Sequence, residues 1–172
     1  MKKDRLLDII TSIIEEHREI EQSFHNTEQI IDDFGAIREV KKATAFYEPA
    51  HFDPDKRSIE RFRELIKTVG ESLHAHFNRE ETSLLEAFIE QGDTVLSSAL
   101  YALMKEHENI KNRLIKLEHD IDDLANEKPS VQVWHAKAYG IRTYFNHTRT
   151  LIEAHAKSEQ ELFQLVQEKL LQ

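Results

Sequence analysis

The chain has 172 residues, a length that suits one domain with a buried core of its own. It has no cysteine, which excludes disulfides, thiolate catalysis and iron–sulfur clusters held by cysteine. A net charge of −9 at pH 7 argues against nucleic acid as a partner, because the phosphates would repel the protein.

No apolar run approaches the roughly 18 residues that a membrane span needs. The basic N-terminal residues lead into an amphipathic, acidic stretch, which differs from the continuous apolar segment of a signal peptide. We therefore expect a cytoplasmic protein with no membrane partner. Only four glycines and three prolines interrupt a chain rich in helix-forming residues, and this balance favours an all-α fold.

The few helix-breaking residues divide the chain into four long helical segments. The first is predicted over residues 3–34 and ends at Gly35. The second is predicted over residues 53–91, with Asp53 as its cap and Gly92 as the residue that stops it.

The third and fourth segments follow after short connections. Asp93 or Thr94 caps the third, which is predicted over residues 94–126. Pro129 and Ser130 open the fourth, which runs almost to the C-terminus. Short connections place successive helices side by side and antiparallel, so we predict a single domain over residues 1–172, an up-and-down four-helix bundle.

Each predicted helix has a core-facing seam, meaning the residues three or four apart that lie on one face. The seam of the third helix is aliphatic except for one histidine: Leu96, Leu100, Leu103, His107, Ile110, Leu114, Leu117, Ile121 and Leu124. The seam of the first helix is also apolar apart from one histidine and one threonine: Leu6, Ile10, Ile13, His17, Ile20, Phe24, Thr27, Ile31 and Phe34.

The seams of the second and fourth helices share a His-x-x-x-Glu pair. The second seam is Ile59, Phe62, Ile66, Val69, Leu73, His76, Glu80, Ser83 and Ala87. The fourth is Trp134, Ala138, Ile141, Phe145, Thr148, Ile152, His155, Glu159, Leu162 and Val166. Residues four apart lie about one turn apart on one face, so both members of each pair point into the same interior.

Burying an unpaired carboxylate costs several kcal/mol or more, and the seams hold no lysine or arginine at these levels. Bound cations that the seam histidines and glutamates share would neutralise this buried charge. We therefore predict a metal site whose ligands are His17, His76, Glu80, His107, His155 and Glu159. Two divalent ions would take two histidines each, with the two glutamates as bridges and open positions left for small molecules.

A donor set of imidazole and carboxylate without sulfur suits iron, manganese or zinc. Among flanking residues, Glu21 is a candidate for support of the site, and Lys111 is expected to be solvated. The other histidines are expected to lie off the site, on other helix faces or in the first connection: His25, His51, His74, His119, His135 and His147.

Four short runs in this order and approximate spacing resemble the signature segments of hemerythrin-like, HHE cation-binding domains over nearly the whole chain. They are Glu16-His17-Arg18, His76-Phe-Asn-Arg-Glu80-Glu81, Glu106-His107-Glu108 and His155-Ala-Lys-Ser-Glu159-Gln-Glu-Leu-Phe163. The resemblance implies a non-haem di-iron centre inside a four-helix bundle, with the same four histidines as ligands and both glutamates as bridges.

The ligand set is more similar to that of the di-iron iron–sulfur cluster repair proteins, which respond to stress, than to that of the oxygen carriers. Oxygen-carrying hemerythrins have a second histidine on the third helix, where this chain has Lys111. They also close with His-x-x-x-x-Asp, where this chain has His155-x-x-x-Glu159. The repair proteins usually carry an additional N-terminal segment with cysteines, which this sequence lacks.

We expect a metal-binding protein that senses or handles oxygen, nitric oxide or labile iron. A peroxidase or nitric oxide reductase that uses the same centre is one alternative. A metal-regulated interaction module that meets its partner through the acidic surface or the Phe46–Phe52 connection is another. The sequence is compatible with a monomer and with a homodimer.

Overall fold

A computed structural model describes residues 2–45, 56–127 and 129–171, with side chains for 2–27, 59–127, 129–130 and 132–170. All regular secondary structure in these ranges is helical, so the all-α prediction is confirmed. The first two helices are α1 (Lys2–Ala45) and α2 (Lys56–Arg79). A π-helix (Glu80–Leu84) joins α2 directly to α3 (Leu85–Gln91). The remaining helices are α4 (Thr94–Met104), α5 (Glu106–Asn126) and α6 (Val131–Leu171).

The boundary between α3 and α4 follows the predicted chemistry. Gly92 has φ of 76°, a left-handed conformation that favours glycine and ends α3 after Gln91. The carboxylate of Asp93 then accepts hydrogen bonds from the backbone N–H groups of Val95 and Leu96, both at 3.1 Å. Asp93, one of the two predicted candidates, is therefore the N-cap of α4.

One predicted helix boundary was wrong. α1 continues through Gly35 to Ala45, because an interior glycine costs only about 1 kcal/mol and helix-forming residues follow it. The third segment has its predicted bounds, Thr94 and Asn126, and is divided into α4 and α5 by one turn residue, Lys105, whose φ of −65° and ψ of −20° remain right-handed helical. The predicted cap at Asp53 and the packing of residues 46–52 fall outside the described residues.

The helices contact one another in a ring, in which α1 contacts α2 and α6, and α5 contacts the same two helices. The described residues of the predicted seams are buried, apart from a half-buried subset: His17, Ser83, Leu96, Leu103 and Ala138. In the second seam Leu84, four residues after Glu80, is fully buried, whereas Ser83, the predicted seam residue, is half-buried.

The core consists of two apolar clusters at different levels along the helices. One contains Ile20, Leu73, Ile110 and Ile152, and the other contains Ile13, Leu84, Met104 and Leu162. In each of the four helical segments the sequence passes from one cluster to the other through one or two of the predicted ligands. The polar groups therefore lie in a layer between two hydrocarbon cores, where water is scarce. Among the described helices, none combines the length and apolar character that a membrane crossing requires.

Candidate metal centre

The structure brings all six predicted ligands together in this layer. They come from different elements: His17 from α1, His76 from α2, Glu80 from the π-helix, His107 from α5, and His155 and Glu159 from α6. Five of the six are buried to 3 % exposure or less, and the side chain of His17 is 10 % exposed.

The histidines form two pairs that face each other through their Nε2 atoms. In the first pair, His17 and His76, the two Nε2 atoms lie 3.0 Å apart. In the second pair, His107 and His155, they lie 3.1 Å apart. Each pair joins two different helices, so the site connects α1 to α2 and α5 to α6.

The two glutamates lie between the pairs, and each presents one oxygen to each pair. Glu80 places Oε1 3.1 Å from Nε2 of His76 and Oε2 3.3 Å from Nε2 of His107. Glu159 places Oε2 3.2 Å from Nε2 of His17 and Oε1 3.3 Å from Nε2 of His155. The result is two groups of four donors that share both carboxylates: His17, His76, Glu80 and Glu159, and Glu80, His107, His155 and Glu159.

Three of the four histidine rings are oriented by carboxylates outside the site, which we call the outer carboxylates: Glu16, Glu81 and Glu106. Glu16 lies 2.8 Å from Nδ1 of His76. Glu81 lies 2.8 Å from Nδ1 of His107, and Glu106 lies 2.9 Å from Nδ1 of His155. A carboxylate only accepts, so each of these Nδ1 atoms carries the proton and donates it.

This arrangement leaves the Nε2 atoms of the second pair as facing lone pairs when both rings are neutral. Lone pairs 3.1 Å apart with nothing between them repel each other, so the pair needs a proton or a cation. All four oxygens of Glu80 and Glu159 are buried, and none makes a well-directed hydrogen bond. Unsatisfied buried carboxylates beside facing imidazole nitrogens fit a bound cation.

The donor spacing also fits a metal ion. With metal–ligand bonds of about 2.1 Å, two ligands at right angles on one ion lie roughly 3.0 Å apart. The shortest Nε2–Nε2 and Nε2–Oε distances in the first pair are 3.0 Å and 3.1 Å. The buried histidine and glutamate groups can therefore hold metal ions without a large rearrangement.

Two of the outer carboxylates are ion-paired with cations at the surface. Arg79 lies 2.6 Å from Glu16, and Lys111 lies 3.0 Å from Glu81. Burial alone would raise the pKa of Glu16, but hydrogen bonds from Arg79 and His76 lower it. Hydrogen bonds from His107 and Lys111 likewise lower the pKa of Glu81 against the effect of burial. Lys111 was expected to be solvated, and instead it completes a Lys–Glu–His chain.

Protons can balance the charge of the metal-free site. Burial alone would lower the pKa of His155, but its contacts with Glu159 and Glu106 raise the pKa to about 9. The pKa of His76 is also raised against the effect of burial, chiefly by Glu80. The contacts with His155 and His17 lower the pKa of Glu159, although burial alone would raise it. Near neutral pH the metal-free site therefore holds imidazolium beside carboxylate.

Metal loading should therefore release protons. His155 is protonated up to pH about 9 in the metal-free protein, and a metal ion needs the lone pair that this proton occupies. We expect release of at least one proton per chain near neutral pH, and an apparent affinity that rises with pH towards 9. Calorimetric titration in two buffers of different ionisation enthalpy measures the protons released. The prediction is contradicted if metal binding releases no protons at pH 7, just as none are expected to be released above pH 9.

A small apolar cavity of about 20 Å³ adjoins the site. His17, His76 and His155 line it together with buried apolar side chains that include Phe77, and the exposed residues Glu21 and Glu153 lie at its edge. A cavity needs roughly 10–15 Å³ to hold one water molecule, so this cavity has room for one or two small molecules.

The remaining described histidines lie off the site, as predicted. His25, His74, His119 and His147 are exposed, and His135 is half-buried on another face of α6. Neither donor group includes any of them. His51 falls outside the described residues. Glu21 is exposed at the edge of the apolar cavity, and the support expected of it comes from the outer carboxylates instead.

The outer carboxylates were missed in the sequence, although a signal was present. Glu16 directly precedes His17, Glu106 directly precedes His107, and Glu81 directly follows Glu80. A residue next to a seam position is rotated about 100° around the helix, so its side chain reaches a neighbouring helix and not its own partner in the seam.

No protein-family model, curated protein or solved structure matches the chain.

Proposed function

We propose that the protein is a non-haem di-iron protein of hemerythrin type that senses or handles oxygen, nitric oxide or labile iron. One observation carries the proposal: two buried carboxylates each present one oxygen to each of two histidine pairs. Such an arrangement of shared donors suits two neighbouring ions better than one. The donor set fits iron, manganese and zinc, and iron is proposed because of the hemerythrin-like signature segments.

The up-and-down antiparallel four-helix bundle is part of this proposal. The ring of contacts among α1, α2, α5 and α6 supports it, because neighbours in the sequence are neighbours in the ring. The short connection at residues 92–93 favours antiparallel packing of the helices on either side of it.

The chain's own residues would hold, orient and isolate the ions. The four histidines offer Nε2, the outer carboxylates fix the rings of three of them, and Glu80 and Glu159 supply the negative charge. Bound iron would supply open coordination positions for a diatomic molecule. The apolar cavity beside His17, His76 and His155 suits such a ligand and disfavours ions.

Reconstitution with ferrous iron tests the proposal. We expect about two irons per chain, near-ultraviolet absorption from a bridged centre after oxidation, and a spectral change with nitric oxide. A matched variant, Ala156→Leu, places a larger side chain at the cavity and should retain both irons while slowing nitric oxide binding. Protein that stays free of iron after isolation from iron-replete cells and after reconstitution would contradict the proposal.

The same preparation separates the proposal from its enzymatic alternatives. A peroxidase or a nitric oxide reductase would turn over hydrogen peroxide or nitric oxide with a supplied reductant. Binding without turnover favours sensing or handling of the ligand, and multiple turnovers favour an enzyme.

A further inference from the structure

The two histidine pairs are supported unequally. In the second pair, both His107 and His155 donate Nδ1–H to an outer carboxylate. In the first pair, His76 does so, to Glu16. Among the described side chains, no carboxylate reaches Nδ1 of His17.

A correspondence between the helices explains the difference. The run His76-x-x-x-Glu80-Glu81 corresponds to His155-x-x-x-Glu159-Gln160 in α6. Glu81, which orients His107, therefore has Gln160 as its counterpart in the sequence of α6.

Lys111, the cation beside the second histidine pair, also has no basic counterpart at the equivalent position of α1. Lys111 lies four residues after His107 and pairs with Glu81 at 3.0 Å. The residue four after His17 is Glu21. The Lys–Glu pair that supports the second histidine pair is thus replaced by Glu21 and Gln160 at the first, and both of these residues are exposed.

The two histidine pairs also differ in their exposure to solvent. The side chain of His17 is 10 % exposed, against 1 % for His107. His17 lines the apolar cavity, whose edge carries the exposed carboxylates Glu21 and Glu153. His107 instead stacks on the buried ring of Phe77, with the ring centroids 3.9 Å apart. The first pair is therefore nearer to solvent and less firmly held.

We infer that the two metal positions are unequal, and that the position formed by His17 and His76 is the exchangeable one. The inference rests on the proposed dinuclear site and gives the handling of labile iron a physical location. Loss of one outer hydrogen bond typically weakens metal binding by about 10–100-fold. The ion at the first pair should accordingly bind second and leave first.

Partial loading with ferrous iron alone, under anaerobic conditions, tests this directly. At one equivalent of iron, anomalous diffraction should place the ion between His107 and His155. Removal of iron from the fully loaded protein by a chelator should be biphasic, with one ion per chain in each phase. Occupation of the first pair before the second, or loss of both ions at one rate, would overturn the inference.

A designed variant should abolish the difference. Glu21→Lys with Gln160→Glu copies the Lys111–Glu81 pair beside His17 and should slow the fast phase by about 10-fold or more. Its matched control is Glu19→Lys with Gln164→Glu, which makes the same charge changes at exposed positions of the same two helices. An unchanged fast phase in the designed variant, or an equal change in the control, would overturn the inference.

These outcomes separate the inference from the proposed function. A chain that binds no ferrous iron overturns both. Two ions bound with equal affinity overturn the inference alone and leave the dinuclear site in place.

Discussion

If the proposed site binds two ions, replacement of Glu80 by glutamine should reduce the metal content to one ion per chain at most. Glu80 belongs to both groups of four donors, so a single change removes a ligand and a negative charge from each. The loss of affinity should exceed the roughly 10–100-fold that follows from loss of an outer hydrogen bond. Native mass spectrometry of the reconstituted protein gives the number of ions, and competition with a chelator gives the affinity.

Two comparisons make the result specific to the bridging position. Glu71→Gln is the same chemical change on α2 at an exposed position that is paired with Lys67, and it should leave both ions bound. His17→Ala removes a ligand from one group only and should leave one ion at His107 and His155. Two tightly bound ions in Glu80→Gln would show that this carboxylate is not shared between them.

The core-facing seam positions could be predicted from the sequence because the helical period places residues three or four apart on the same face. Five buried histidines and glutamates interrupt three of the seams at a common level, and His17 interrupts the first seam at the same level with slight exposure. Each helix could be read alone, since residues three or four apart share a face whatever the neighbouring helices do. The positions of the six candidate ligands were therefore predictable without knowledge of the packing.

The contacts of the outer carboxylates depend on how the helices pack against one another, which the periodicity of a single helix does not reveal. Glu16 and His76 are 60 residues apart, and Lys111 and Glu81 are 30 apart. Which side of a seam faces which neighbour depends on the order of helices around the ring. Lys111 was therefore predicted to be solvated, although its position after His107 places it against Glu81.

The interruptions of the helices were also unpredictable from propensity. Gly35 does not stop α1, whereas the π-helix at Glu80 and the break at Lys105 have no glycine or proline. Both interruptions lie beside candidate ligands, Glu80 and His107. π-helical turns are often found at functional sites.

Replacement of all six candidate ligands by apolar residues should stabilise the metal-free protein while abolishing metal binding. The variant carries leucine at the four histidines and methionine at Glu80 and Glu159, in keeping with the aliphatic seams around them. Exchange of a buried ion pair for apolar side chains of similar volume is typically neutral or stabilising by about 1–4 kcal/mol. The outer carboxylates lose their histidine partners, but they are 20–55 % exposed and stay hydrated.

Chemical unfolding of both proteins in the presence of a chelator measures the difference in free energy of unfolding. The response to metal separates a metal site from a purely structural network. Exchange of a structural buried ion-pair network for apolar side chains is also often neutral or stabilising, so the response to metal is the measurement that distinguishes the two roles of these six groups. If they exist to bind metal, the metal-free protein bears the cost of burying them, and the apolar variant is the more stable of the two. Added metal should then raise the unfolding midpoint of the wild type and leave that of the variant unchanged, because only the wild type binds the ion in its native state.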